Sequence, residues 1–322
     1  MKQMLLILFI ITFVSAVYAQ DDNKLNSNAY LHEESKSNST NIEDQTLWLP
    51  ADFAGSSTPD ADEAIILNEK GVRLALEKHY SEAVTLFQKA MALEPKSASI
   101  NYNLASALNY AERFDEAIRE FNRLIEIKPD FGKAHLGMGN ALFKSGRYED
   151  SVSAFRRAAK LEPLNFLIVR NLGIALYHAK NYREALETFD TVVKLQPNNA
   201  ANYSDRGAVL YVLERFQEAV ESLRRAITLE PTLADAHNNL GVVFTRIGRK
   251  KEAHKCHLEA VKLRPNWEVA QYNLAMSFQA RNKRDEALKH LNILKKLDVN
   301  LAERLRRQLN EPYILDASKM EN

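Results

Sequence analysis

The sequence predicts an all-α protein, a row of antiparallel helix pairs stacked one upon the next. Three observations predict it. Prolines recur at Pro95, Pro129, Pro163, Pro197, Pro231 and Pro265, each 34 residues after the last. Apolar residues recur at helical spacing on both sides of a short polar break within each interval. Small and aromatic residues hold fixed places in every interval, so the period belongs to a structural unit and not to proline alone.

The N-terminus comes first. MKQMLLILFIITFVSAVYAQ places Lys2 before an apolar run from Met4 to Val14, and Val17-Tyr18-Ala19 suits a signal peptidase. The run is too short for an anchor helix. Residues 1–19 are therefore expected to be a cleaved signal peptide. The mature chain is expected to be exported, secreted or periplasmic, with no membrane anchor. A single cysteine, Cys256, excludes an internal disulfide framework, so the fold must stand on its packed core.

Residues 20–63 follow as an acidic linker. Ten acids stand against Lys24 and Lys36, with no helical or strand period, and the segment is expected to be disordered. Trp48, Leu49 and Phe53 flank Pro50 within it, and the plain expectation is a stray apolar cluster beside the first helix. A regulatory alternative is that the acidic segment folds back onto the basic array, with Trp48 and Phe53 occupying its groove in cis. Asn38-Ser39-Thr40 fits a glycosylation acceptor.

Seven units then run contiguously over 64–97, 98–131, 132–165, 166–199, 200–233, 234–267 and 268–299. With the proline as position 32, position 8 is Gly71, Ala105, Gly139, Gly173, Gly207, Gly241 and Ala275. Position 20 is Ala83, Ala117, Ser151, Ala185, Ala219, Ala253 and Ala287. Position 24 is Phe87, Phe121, Phe155, Phe189, Leu223, His257 and Leu291, and position 17 is aromatic until Lys250 and Arg284. Small residues at 8 and 20 let two helix backbones approach, the ring at 24 fills the space beyond, and proline ends the second helix. One such pair cannot bury its apolar face, so the pairs must stack. Leu301–Leu309 reads as a capping helix within residues 300–310, and the tail over 311–322 as frayed.

Period and slot residues together resemble the tetratricopeptide repeat family over residues 64–299. The resemblance implies a right-handed superhelical solenoid of antiparallel helix pairs. It also implies a concave groove lined by positions 2, 5, 6, 9, 12 and 13 of the first helices. Position 6 carries Asn103, Asn171, Asn239 and Asn273, and Asn68, Asn140 and Asn238 add amides at positions 5 and 9. This is similar to the asparagine ladder of the O-GlcNAc transferase repeats, which binds the backbone of an extended peptide. An amide offers one donor face and one acceptor, which matches a peptide unit without reading its side chain. Tyr102, Tyr110, Phe143, Tyr177, Tyr211 and Tyr272 are interleaved at positions 5, 12 or 13 as candidate contact rings. The carboxylate clamp of chaperone-binding repeats is incomplete here. Asn68 and Val72 stand at two of its places, and only Asn103 and Lys133 fit.

The stretch His254-Lys255-Cys256-His257 offers metal-ligand residue types. However, His257 fills the aromatic slot at position 24, His254 an aliphatic slot at 21, and Cys256 a variable place at 23. With no carboxylate identified beside them, packed imidazoles are expected, not a metal or redox centre. No nucleophile elbow, zinc motif or phosphate loop occurs, and repeats consume the chain, so no enzyme and no cofactor is expected. Basic pairs such as Arg156-Arg157 and Arg224-Arg225 fall on second helices among acids, a pattern of solvated mixed charge and not of nucleic-acid binding. The functional expectation is a non-catalytic exported scaffold that binds an extended segment of a protein or peptide partner. The alternative is an assembly factor that self-associates or joins an envelope or secreted complex through its convex or C-terminal faces.

Overall fold

A computed structural model describes residues 48–50 and 58–310. Residues 1–19, residues 20–47 with Asn38, residues 51–57 with Phe53, and residues 311–322 lie outside the described residues. Fifteen helices, and no strand, make up the described chain. They fall into two compact units, one ending at Leu195 and the other beginning at Gln196.

The first unit holds α1 (Pro59–Leu76), α2 (Tyr80–Leu93), α3 (Ala98–Tyr110), α4 (Phe114–Ile127), α5 (Gly132–Lys144), α6 (Tyr148–Leu161), α7 (Phe166–His178) and α8 (Tyr182–Leu195). The second holds α9 (Ala200–Val212), α10 (Phe216–Leu229), α11 (Ala234–Arg246), α12 (Lys250–Leu263), α13 (Glu268–Gln279), α14 (Arg284–Leu297) and α15 (Val299–Asn310). Within each unit every helix packs on its chain neighbours. The first helices of successive repeats also touch, α1 on α3 on α5 in one unit and α9 on α11 on α13 in the other.

Helix α1 corrects one expected boundary. It begins at Pro59, so the linker does not run unbroken to residue 63. Thr58 accepts the Ala61 N–H as a side-chain cap, proline opens the first turn, and Asp60 and Asp62 face the positive end of the helix dipole.

The turn inside each repeat is the same device seven times. Position 15 takes positive φ at Lys78, Glu112, Gly146, Lys180, Glu214, Gly248 and Asn282. It closes the first helix with paired bonds such as Lys78 N–H to the Ala75 carbonyl and His79 N–H to the Leu74 carbonyl. The turn between repeats has a second device. A side chain at position 4 donates to the carbonyl of the preceding proline: Asn101 to Pro95 at 3.0 Å, His135 to Pro129 at 2.8 Å, His237 to Pro231 at 2.9 Å and Gln271 to Pro265 at 2.6 Å. His237 is thereby committed to a backbone cap.

The core follows the slots. Phe87, Phe121, Phe155, Phe189 and Leu223 are buried at position 24, and the alanines at position 20 are buried with them. A Cβ built on Gly71 would come within 2.7 Å of Phe87, and one on Gly139 within 2.6 Å of Phe155. The missing methyl group at position 8 is therefore what lets the rings of Phe87 and Phe155 lie against the facing helix backbone. At the end of the second unit α15 covers the last pair. Leu301, Leu305 and Leu309 pack in the same cluster as Leu291 and Leu294, and Arg284 donates to the Leu309 carbonyl.

Candidate functional site

In the first unit the row of first helices carries a short extended segment of the chain itself. Trp48 is 7% exposed, and its ring lies 5.9 Å from Phe87 and 6.1 Å from Tyr110. Tyr110 in turn stacks on Tyr80 at 5.1 Å. Leu49, which follows, is held by its backbone. The Asn103 amide donates to the Leu49 carbonyl at 2.8 Å and accepts the Leu49 N–H at 2.9 Å. Asn68 donates to the same carbonyl at 3.3 Å, and Asn103 donates to Asn68 at 2.8 Å. Two asparagines from neighbouring first helices thus satisfy both polar groups of one peptide residue. The adjoining side chain enters an aromatic slot formed by positions 24 and 13.

Trp48 and Leu49 are consequently not a stray cluster, which corrects the plain expectation for this segment. The physical reason is the match between an indole and the space between Phe87 and Tyr110, together with a backbone held at two points. Phe53 lies outside the described residues.

The other candidate residues divide by environment. Asn171 donates to Asn140 at 3.4 Å, which continues the amide row along α5 and α7 in the first unit. In the second unit Asn239 donates to Ser204 at 3.4 Å and Asn273 to Asn238 at 2.9 Å. Tyr110, Phe143, Tyr211 and Tyr272 are half-buried. Tyr272 donates its hydroxyl to Gln308 of α15 at 2.6 Å. Tyr102 and Tyr177 are buried, at 5% and 2% exposure, so they belong to the packing and not to an open contact surface. Tyr102 meets Phe121 and Phe131 edge-on, and Tyr177 meets Tyr182 in the same way. Burial pushes the Tyr102 phenol above its ordinary range, with a bond to Ser106 opposing.

The histidines near Cys256 are each engaged locally. His257 is buried in the position-24 slot, with its ring 2.6 Å from where a Gly241 methyl would stand. Burial, with His254 nearby, drives its pKa down to about 3, so the ring is neutral. His254 pairs with the Ser277 hydroxyl at 2.9 Å and lies edge-on to Phe278 at 4.6 Å. Burial, then Arg281, Lys283 and His290, lowers its pKa. Among the described residues no group of three His, Cys, Asp or Glu side chains is arranged to hold a metal ion.

Several of the basic residues are paired with acids. Arg156 grips Glu184 at 2.6 Å and Arg157 meets Asp130 at 2.8 Å. An arginine at position 16 meets an acid at position 19 in Arg113–Glu116, Arg147–Asp150, Arg215–Glu218 and Arg249–Glu252. These exposed pairs contribute little to stability.

Comparison with known proteins identifies the repeat. Tetratricopeptide repeat models match residues 74–139, 136–200 and 269–298, and a TPR repeat model matches 209–248. Comparison with curated proteins gives no significant match. Among solved structures, a tetratricopeptide repeat protein from Parabacteroides merdae is 11% identical, with a TM-score of 0.66 over 77% of this chain and 99% of that one. PilF of Pseudomonas aeruginosa is 18% identical, with a TM-score of 0.55 over 70% of this chain and 100% of that one. YrrB, described as a TPR protein with an unusual peptide-binding site, is 22% identical, with a TM-score of 0.49 over 57% of this chain and 95% of that one. At these identities the likeness is one of fold.

Proposed function

The chain belongs to the tetratricopeptide repeat family, whose fold serves as a scaffold for protein–protein interaction, and from that premise we propose that it is an exported, non-catalytic scaffold whose first-helix groove binds an extended segment of a protein partner. The observation that carries this reading is the hold of Asn103 on Leu49, donor to carbonyl and acceptor to N–H. Such a hold is indifferent to the side chain of the residue gripped. It admits any extended peptide that places a large ring in the slot of Phe87 and Tyr110. Residues 48–50 occupy that place in the resting chain, so a partner segment binds by displacing them. Its apparent affinity is reduced by the fraction of time the groove is filled in cis.

The test uses the full chain and a fluorescein-labelled synthetic peptide, Thr-Leu-Trp-Leu-Pro, copied from residues 46–50. Replacing Trp48 and Leu49 by Ala empties the groove and should raise peptide affinity at least tenfold. Adding Asn103→Ala should remove that gain, because two hydrogen bonds contribute about 1–3 kcal/mol. Binding to the emptied chain that ignores Asn103→Ala would move recognition away from the groove.

A further inference from the structure

The second unit repeats the amide pair of the first. Asn238 stands at position 5 of the sixth repeat and Asn273 at position 6 of the seventh, the places that Asn68 and Asn103 hold in the first and second. The geometry repeats as well. Asn273 donates to Asn238 at 2.9 Å, as Asn103 donates to Asn68 at 2.8 Å. In the first unit the Asn68 amide goes on to donate to the Leu49 carbonyl. The matching Nδ2 of Asn238 is fully buried and has no hydrogen-bond partner among the described residues. A buried donor left unpaired is costly and calls for a partner.

Beside this pair lies a cavity of about 520 Å³, with Asn273 in its wall. Two of its lining places are those that meet Trp48 in the first unit. Where Trp48 meets Phe87 and Tyr110, the cavity has His257 and Ala280, so one of the two rings is missing. Where the first repeat has Leu76 and Tyr80, the sixth has Arg246 and Lys250, and α15 adds Arg304. Three cations thus line it against one acid, Glu214, which sits 3.7 Å from Arg246.

We infer that this cavity is a second peptide subsite, in which Asn273, braced from behind by Asn238, holds a residue of the partner's extended segment by its backbone while the cationic wall takes an acidic side chain from the adjoining residue. The inference rests on the groove reading above and adds the chemistry of the ligand: an aromatic residue is selected at the first subsite and an acidic one at the second. Charge complementarity sets the choice, because a carboxylate can pair with Lys250 or Arg304 where an indole would find charged walls.

The experiment measures anisotropy of two labelled synthetic peptides on the full chain, Thr-Leu-Glu-Leu-Pro and the parent Thr-Leu-Trp-Leu-Pro. The Glu peptide should bind and should weaken at least tenfold with Asn273→Ala. It should weaken comparably with Lys250→Glu, an exposed substitution that leaves the buried amides intact. Asn103→Ala should change its affinity less than twofold. Glu-peptide binding that both C-terminal variants leave unchanged, or that Asn103→Ala abolishes, overturns the inference. A tenfold gain in Glu-peptide affinity on deleting residues 20–47 would assign the cavity to the chain's own acidic segment and overturn the partner assignment. If the Trp peptide binds the emptied first subsite while the Glu peptide binds nowhere, the groove reading stands and the second subsite falls. If neither peptide binds, both fall.

Discussion

Asn103 grips both backbone groups of Leu49, donating to its carbonyl at 2.8 Å and accepting its N–H at 2.9 Å, across 54 residues of sequence. Leu49 is thereby hydrogen-bonded as it would be in a sheet, although no strand lies beside it. Affinity from the main chain and selectivity from a pocket for the neighbouring side chain is the division of labour seen in extended-peptide recognition generally.

Replacing Asn103 by Ala should release this segment. Leu49 loses a donor and an acceptor together, and Asn68 loses the donor that orients it. The Leu49 amide should exchange with solvent at least tenfold faster, because 1.4 kcal/mol is a factor of ten and two bonds of about 1 kcal/mol are lost. Trp48 emission should shift to the red as the ring leaves Phe87. Unchanged exchange at Leu49 would mean that Trp48 alone holds the segment.

His257 makes the stability of the second unit depend on pH. Its folded pKa, about 3, lies below the ordinary 6.5, so between those values the unfolded chain binds a proton that the folded chain refuses. Stability is therefore full above pH 6.5 and falls as pH drops through that window, by up to about 1.4 kcal/mol per pH unit. His254 is shifted in the same direction and adds to the trend. In His257→Phe, which restores the residue that four other repeats carry, denaturation midpoints should fall less steeply between pH 7 and 5. Equal slopes for both chains would show that His257 is solvated.

Most of the architecture was legible because it repeats. Period, slots and turn positions fix helices such as Ala98–Tyr110 and Phe114–Ile127 without reference to their neighbours. The start of α1 was obscured by that same arithmetic. Counting back from Pro95 stops at Ala64, whereas the cap signals Thr58, Pro59 and Asp60 stand five residues earlier. The site was half legible. Asparagines at positions 5 and 6 could be read from the sequence. The docking of Trp48 was anticipated only as the alternative of a segment folded back in cis, because three residues show no period and their partners lie in α1, α2 and α3. Tyr102 and Tyr177 were placed on the groove by position, yet Phe131 and Tyr182, from the closing turn and the second helix of the same repeats, cover them. Whether a ring at position 5 or 12 is open depends on which other rings of its own repeat pack over it, not on its slot alone.

Cys256 should be a slow thiol. Burial first, then Glu252, raises its pKa to about 11 from the ordinary 9.0, with Arg224 opposing. The thiolate is the reactive form, so near neutral pH its population falls about a hundredfold. Iodoacetamide should modify the native chain about a hundredfold more slowly than the same chain in urea. Comparable rates would place the thiol in an open, polar setting.

The second and third repeats each break a rule, and the two breaks explain each other. Position 8 of the second is Ala105 instead of glycine, and position 6 of the third is Gly137 where asparagine is the commoner residue. The methyl of Ala105 occupies the space that glycine leaves for the ring in repeats one, three and four. Phe121 lies instead over Gly137, where an added Cβ would stand 2.3 Å from its Cζ, the closest approach at any glycine among the described residues. Gly173, by contrast, would place a Cβ 3.0 Å from Phe189. Gly137→Ala should therefore destabilise the chain by roughly 1–3 kcal/mol through overpacking. Gly173→Ala should cost less, because the gain of roughly 0.5–1 kcal/mol in helix preference offsets a milder contact. Combining Gly137→Ala with Ala105→Gly should recover part of the loss, since the ring can then swing back toward position 8. A double-mutant cycle on urea midpoints measures this coupling, which contacting residues show at about 0.5–3 kcal/mol. Strict additivity would mean that Phe121 does not move between the two places, and that glycine at 137 has another cause.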